Sequence, residues 1–346
     1  MEKDYVVIGE NYIIMTQDYT QKLGRGAFAD VYRCKKLVDG VPSDEYYVAK
    51  EIHLQRSIPK IKELIMREIA LMFELIGDDS STVKIFDHFM GKTGNVIYII
   101  MEYCEGGDLD AYADKNGPFT EREVAEFLYP IAKSFVNMHS RGIIHRDLKL
   151  ANILLGKKME KGAKPIIKIA DLGLAYEMEE HNSPQTICGT PLNMAPELWG
   201  SGRRKYTEKV DVWAFGSMLY KMIYGIYIFE KAKVEVKIQE GIIRFPRVRL
   251  TSLEAFDLMV KCLRKNPTER ISFENILSHP FFTKKSFKAF DKVFDGYFGN
   301  FEIDINKTYD LLQDPNCLGI TNPVKTAFIK HNEEIINDWI ELKQNQ

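Results

Sequence analysis

The stretch IIHRDLKLANILL, residues 143–155, sets His145, Arg146, Asp147 and Lys149 between runs of Ile and Leu. Charged side chains are rarely buried unless they are paired. A chain that carries them inside an apolar run either surfaces at that point or holds a reactive cluster rigid from both sides. The flanks 143–144 and 153–155 are the anchors the second case requires. The pattern is also specific. His, Arg, Asp and Leu in succession, with Asn152 following, coincide by chance in a chain of this length with a probability on the order of one in ten thousand, from average residue usage.

The residues on either side differ in character. The first hundred hold strand-like pieces, YVVIGENYIIM, FADVYRC, EYYVAKEI, STVKIFDHF and NVIYIIMEYC, with one helical segment, SIPKIKELIMREIALMFELI, among them. The Gly106–Gly107 break closes this region. Beyond it, Val124, Phe127, Leu128, Ile131, Phe135 and Met138 recur at helical spacing across 121–141. VDVWAFGSMLYKMIYG is apolar on nearly all sides, as a helix at the centre of a core must be. These patterns predict an α+β fold in two lobes, a small β-rich N-terminal lobe with one main helix and a larger, mainly α-helical lobe, joined near 102–107. After residue 282, Phe287, Phe290, Phe294 and Phe298 are spaced for one helical face, and Ile336, Trp339 and Ile340 for a second. Such faces either pack on the main domain or dock a regulatory partner.

Composition narrows the function classes. Lys and Arg number 47 against 49 Asp and Glu, so the net charge of −2 offers no broad basic field for nucleic acid or anionic lipid. The 5 cysteines are scattered in no metal-ligand spacing, which reads as reduced thiols. No apolar run approaches the ~20 residues of a membrane span, and MEKDYVVIGE lacks the basic start and apolar core of a signal peptide. The expectation is a cytoplasmic protein without a transmembrane segment or a nucleic-acid partner.

Three further constellations bear on chemistry. LGRGAFADVY carries Gly24 and Gly26, with Ala29 where a third glycine would complete GxGxxG. The dinucleotide-binding version of that motif opens a helix. FADVYRCKK is short, aromatic and β-prone instead, which predicts a strand–loop–strand hairpin whose backbone can approach phosphates closely. Lys50 ends a strand in VAK. In the helical segment Ile61, Ile65, Glu68 and Met72 share one face, so Glu68 sits in an apolar stripe and requires a cation there, with Lys50 the candidate. Downstream follow IADLGLA, CGTPLNMAPE, DVWAFG and NPTERIS, each weak alone and informative in this order.

With HRDLKLAN, these motifs resemble those of the eukaryotic protein kinase family over residues 18–282, with an N-lobe of 18–103 and a C-lobe of 107–282. Residues 1–17 then form an N-terminal segment and 283–346 a C-terminal extension. Lys149 and the GTP at 189–191 resemble the serine/threonine branch. GRGAFADVY, HRDLKLAN and the insert GKKMEKGAKP look most like the autophagy-initiating kinase group, and NimA-related and Polo kinases resemble parts of the chain.

The resemblance implies ATP and Mg²⁺ as cofactors and protein hydroxyls as substrates, with most of the catalysis coming from positioning and charge neutralisation. The loop at Gly24 and Gly26 would cover the phosphates. Lys50, held by Glu68, would bind the α and β phosphates. Asn152 and Asp171 would ligate Mg²⁺, Asp147 would accept the substrate proton, and Lys149 would steady the γ-phosphate. Val31, Ala49 and Leu154 resemble the residues that sandwich adenine. Met101 resembles the residue guarding the pocket behind it, and the Glu102–Cys104 backbone the hinge. Asp108 is placed like a ribose contact. Arg146 beside Asp147 implies control by phosphorylation at Thr186, with Ser183 as the alternate site. Glu197 and Arg270 resemble a bracing ion pair, and Asp211 has a structural role. Leu172 stands where Phe is usual, Asn193 where an aromatic is common, and Ala151 where many arginine-selecting members carry an acid. Two rival readings are a catalytically inactive nucleotide-binding scaffold and a small-molecule kinase. Retention of Lys50, Asp147 and Asp171 weighs against the first, and the GTP–APE segment, which suits an extended peptide, against the second.

Overall fold

The computed structural model describes residues 4–25, 29–54, 69–70, 81–160, 162–171, 176–177, 191–199, 207–229, 234–245, 251–283 and 301–304. They fall into two compact units, one of residues 1–107 and 153–173, the other of 108–152 and 174–346.

The first unit is built on one antiparallel sheet. Its strands are β1 (Tyr5–Ile8), β2 (Tyr12–Met15), β3 (Gly24–Arg25), β4 (Ala29–Val38), β5 (Val41–His53), β6 (Ile85–Met90) and β7 (Val96–Glu102). The order is β1-β2-β4-β5-β7-β6, with β3 paired to β4. The strand-like pieces read from the sequence are all present. Of the helical segment, only Ile69 and Ala70 are described, both helical, and Glu68 lies outside the described residues. The β1–β2 hairpin precedes residue 18 yet belongs to the core. Ile8, Tyr12 and Ile14 pack with Tyr32, Cys34, Ala49 and Ile100, burying apolar area that the central strands would otherwise expose.

β9 (Ile153–Leu155) and β10 (Ile167–Ile169) also join this unit, although the chain reaches them only after the second unit has begun. The reason is local hydrogen bonding. Gly106 N–H donates to the Leu155 carbonyl at 2.9 Å, and Leu155 N–H donates to the Gly107 carbonyl at 2.8 Å. Gly107 has φ +73°, a region that glycine enters without strain. Any side chain at Gly106 would meet the Lys157 carbonyl and Leu155.

The second unit is mainly helical. Its long helix, Glu121–Ser140, starts at a capping box in which Thr120 and Glu123 satisfy each other's backbone N–H groups. The six apolar residues that predicted it are all buried. The central helix, Lys209–Tyr224, is buried from Val210 to Ile223 and ends at Gly225 in the left-handed region. Gly216 on it lies so close to Cys262 and Leu263 that a Cβ would collide. β8 (Ile143–Ile144) pairs with β11 (Tyr176–Glu177). β12 (Ile242–Phe245) pairs with β13 (Phe301–Asp304), so part of the C-terminal extension adds a strand to this unit. The aromatic positions 287–298 and the segment around Trp339 lie outside the described residues. No helix among the described residues is long and apolar enough to cross a membrane.

Arg270 locks this unit together. Its side chain is fully buried and forms a two-pronged pair with Glu197 at 2.6 and 2.7 Å. It also donates to the carbonyls of Arg264, Lys209 and Lys265 and lies over the Trp213 ring. Removing the guanidinium takes the two-pronged pair from Glu197 and one donor from each of three carbonyls. Arg270→Ala should therefore lose about 3–5 kcal/mol of unfolding free energy in a urea titration, and Arg270→Lys should recover little of it, because an ammonium cannot form the fork. Gly106→Val forces backbone apart at the 106–155 junction and should lower stability by about 1–3 kcal/mol in the same titration.

Candidate active site

The pleat of the first unit decides which side chains share a face. Val31 pairs with Lys50, and Lys50 with Ile99; Val48 pairs with Met101. Directly paired residues point to the same side, and neighbours along a strand to opposite sides. Val31, Val48, Lys50, Ile99 and Met101 therefore line one face. Ala49 lies on the other, fully buried with Tyr12, Ile14, Tyr32 and Cys34. This corrects the expectation for Ala49: the apolar strand residue beside Lys50's face is Val48. The period-two rule applied from Lys50 would have found it. Gly24 lies on β3 opposite Val31, Gly26 lies outside the described residues, and β4 is a strand, as the hairpin reading requires. Leu154 is half-buried on β9 in the same unit.

On that face Lys50 Nζ donates to Asp171 Oδ1 at 3.1 Å. Asp171 is half-exposed and has φ 61°, a conformation uncommon outside glycine that concentrates at functional positions. At the end of β7, the Glu102 carboxylate accepts from the buried Lys168 at 2.9 Å and from Lys84 N–H at 3.3 Å. Its side chain is committed to these two partners. Lys168 was not picked out from the sequence, because a lysine alternating with Ile167 and Ile169 reads as solvated. Cys104 is buried, and desolvation pushes its thiol up to about 12, with the Glu102 charge adding to the effect. It is not a reactive thiolate.

The second unit holds the charged cluster that opened the sequence. Lys149 Nζ donates to Asp147 Oδ2 at 2.7 Å. Asn152 Nδ2 donates to the Asp147 carbonyl at 2.8 Å and to Oδ2 at 3.1 Å. Asp147 N–H donates to His145 Nδ1 at 3.3 Å, and the fully buried His145 ring stacks on Phe135. Below the loop, Asp211 on the central helix accepts from His145 N–H at 2.9 Å, Arg146 N–H at 2.9 Å and His139 Nε2 at 2.9 Å. Arg146 has φ 70°, and its N–H bond to Asp211 helps hold that conformation. His139 was missed because a lone histidine at a helix end carries no signal until its partner is known.

Asp108 caps the helix Leu109–Asn116 by accepting from Ala111 N–H at 2.8 Å, a structural use of that carboxylate. Asn193 accepts from the Ser217 hydroxyl at 3.0 Å. Leu172, Ser183 and Thr186 lie outside the described residues.

Among the described residues no three His, Cys, Asp or Glu side chains gather into a metal cage. In the second unit Asn152 uses its NH₂ group on Asp147, and in the first unit Asp171 presents a half-exposed carboxylate.

Comparison with known sequences agrees with this geometry. Residues 18–282 match the model of the protein kinase domain. The chain is 32% identical over 278 residues to the serine/threonine-protein kinase ATG1c of Arabidopsis thaliana, covering 79% of this chain and 36% of that protein. It is 34% identical over 270 residues to the probable cell cycle serine/threonine-protein kinase CDC5 homolog of Encephalitozoon cuniculi, covering 76% and 54%. It is 32% identical over 266 residues to the serine/threonine-protein kinase PLK4 of Xenopus laevis, covering 75% and 26%. The chain thus spans between about a quarter and about a half of the length of these relatives. With a domain match that runs through the Lys50, Asp147, Asn152 and Asp171 positions, the chain belongs to the protein kinase family.

Proposed function

We propose that this chain is a serine/threonine protein kinase that transfers the γ-phosphoryl group of ATP to hydroxyl groups of protein substrates. The observation that carries the reading is Asp147, a carboxylate oriented by Lys149 and Asn152 on a loop whose backbone is clamped from below by Asp211. In the proposed reaction the substrate oxygen forms a bond to the γ-phosphorus, and the bond from that phosphorus to the β–γ bridging oxygen breaks. The hydroxyl proton passes to Asp147, and ADP leaves with the bridging oxygen. Lys149 offsets charge on the transferring group, and Lys50 holds the earlier phosphates as a compact positive charge. The family resemblance names Asp171 and Asn152 as the oxygen ligands that would hold Mg²⁺, which would supply neutralisation of phosphate charge. Val31, Val48 and Met101 offer an apolar surface suited to a base.

Control by phosphorylation at Thr186, with Arg146 as the receiving cation, is part of the proposal and rests on the family resemblance. Regulation through a partner of the C-terminal extension is proposed from the apolar spacing of Phe287, Phe290, Phe294 and Phe298 and of Ile336, Trp339 and Ile340. ATG1 and PLK4 relatives support the serine/threonine branch by name.

Intact-mass spectrometry after incubation with Mg-ATP tests the reading. The parent chain should gain phosphate on Thr186 and on an added protein substrate, and Asp147→Asn should gain none. A parent chain that stays silent after Thr186 is phosphorylated in trans would favour the inactive scaffold. Asp211→Asn tests the clamp separately. It replaces one of the two oxygens that accept the His145 and Arg146 N–H groups with an amide NH₂, while leaving Lys50 and Asp171 untouched. The expected result is a kcat lower by about a hundredfold, as for a small misplacement of a catalytic group, with KM for ATP changed less than threefold.

A further inference from the structure

A cavity of about 220 Å³ adjoins the catalytic loop and is lined by Asp110, Lys149, Ala151, Asn193, Lys221 and Tyr227 among others. It is smaller than the ~300–1,000 Å³ typical of small-molecule sites and is suited to one or two side chains of an extended peptide. Lys149 connects it to the chemistry, since the same ammonium contacts Asp147.

Lys221 is the unexpected member of the wall. It sits in the last turn of the central helix, where its neighbours are buried and apolar, and its side chain is only 5% exposed. Its ammonium donates to Asp110 Oδ1 at 2.6 Å and to the Tyr227 hydroxyl at 3.0 Å, and pairs with Asp114 Oδ1 at 3.0 Å. An ammonium has three protons, and these three partners use them all. Burial works against the charge, but the hydrogen bonds from Asp110, Tyr227 and Asp114 prevail and raise its pKa, so Lys221 is a cation at any physiological pH.

A free carboxylate on the wall of such a cavity is what a guanidinium binds well. Here the wall carboxylate, Asp110, is already paired with the Lys221 ammonium, and Ala151 adds no charge to the wall. Asp114, one helical turn on, is exposed and pairs with the same ammonium. An arginine entering the cavity therefore meets a carboxylate whose charge is already offset by a buried cation.

We propose that Lys221 determines substrate specificity: by offsetting the charge of Asp110 on the cavity wall it keeps this cavity from selecting basic residues beside the phosphoacceptor. The proposal rests on the kinase reading above and adds to it the class of substrate that the site rejects.

The test uses the full chain, activated on Thr186, and serine peptides that differ only in carrying Arg, Ala or Asp at each flanking position. For the parent, kcat/KM for the Arg peptides should not exceed that for the Ala peptides at any position. Lys221→Gln should raise the Arg-to-Ala ratio at one or two positions by about tenfold, the scale of one hydrogen bond to a charged group. Asp114→Asn, at a side chain 65% exposed and so safe for folding, should shift the ratio in the opposite direction, towards the Asp peptides. Strong Arg selection by the parent, or ratios identical in all three proteins, would overturn the proposal. If no peptide is phosphorylated, the kinase reading fails instead, and fluorescence-anisotropy binding of the Arg and Asp peptides to the parent and the two variants decides the cavity's preference independently.

Discussion

The Asp211 carboxylate lies almost entirely out of solvent, where an unpaired charge would cost several kcal/mol. Three N–H groups converge on it: the backbone of His145, the backbone of Arg146 and the His139 ring. Each of these is fixed in turn by its own packing. His145 stacks on Phe135, His139 closes the long helix, and Arg146 takes up a left-handed backbone conformation. Because the central helix that carries Asp211 is buried along nearly its whole length, it has no freedom to follow the loop. The loop follows the helix. The orientation of Asp147, and the bonds it takes from Lys149 and Asn152, depend on that constraint, since each is a backbone step or two from the clamped peptides.

The first unit solves a similar problem with different chemistry. The segment after β7 contains Gly106 and Gly107, and a free loop of Gly and polar residues has no stiffness of its own. Here the stiffness comes from close approach of backbone to backbone at Gly106 and Leu155, and from the Lys168–Glu102 pair just before it. Both attachments need the β9–β10 hairpin, a segment distant in sequence. The added N-terminal hairpin extends the sheet beyond β4 and packs Ile8, Tyr12 and Ile14 in one cluster with Ala49 and Cys34. That leaves the opposite face, with Lys50, to carry the polar work.

Buried charge is handled consistently across the second unit. Arg270 has Glu197, and Lys221 has Asp110 and Asp114. Buried pairs of this kind contribute little net stability compared with apolar residues of the same shape, but they are costly to break. Their effect is to fix geometry. Arg270 ties the Glu197 segment to the region after the central helix begins, and Lys221 fixes the charge of the cavity wall beside the catalytic loop.

Much of this was legible from the residues alone. The apolar periodicity at 121–141 and the all-round apolar stretch at 210–223 determine helices, because a helix face or a whole helix must find a core. The order of the charged motifs points to the family, which the domain match over residues 18–282 shows. Side-chain partners across long separations were not legible. Lys168 with Glu102, His139 with Asp211, and Lys221 with Asp110 each join residues whose spacing in the chain carries no pattern, so only the folded backbone brings them together. Ala49 and Val48 show the same limit at short range. The sequence determines that β5 alternates, but which of two adjacent small apolar residues shares a face with Val31 and Met101 depends on the register with β4 and β7. Register is a tertiary property, set by what the two faces of the sheet bury.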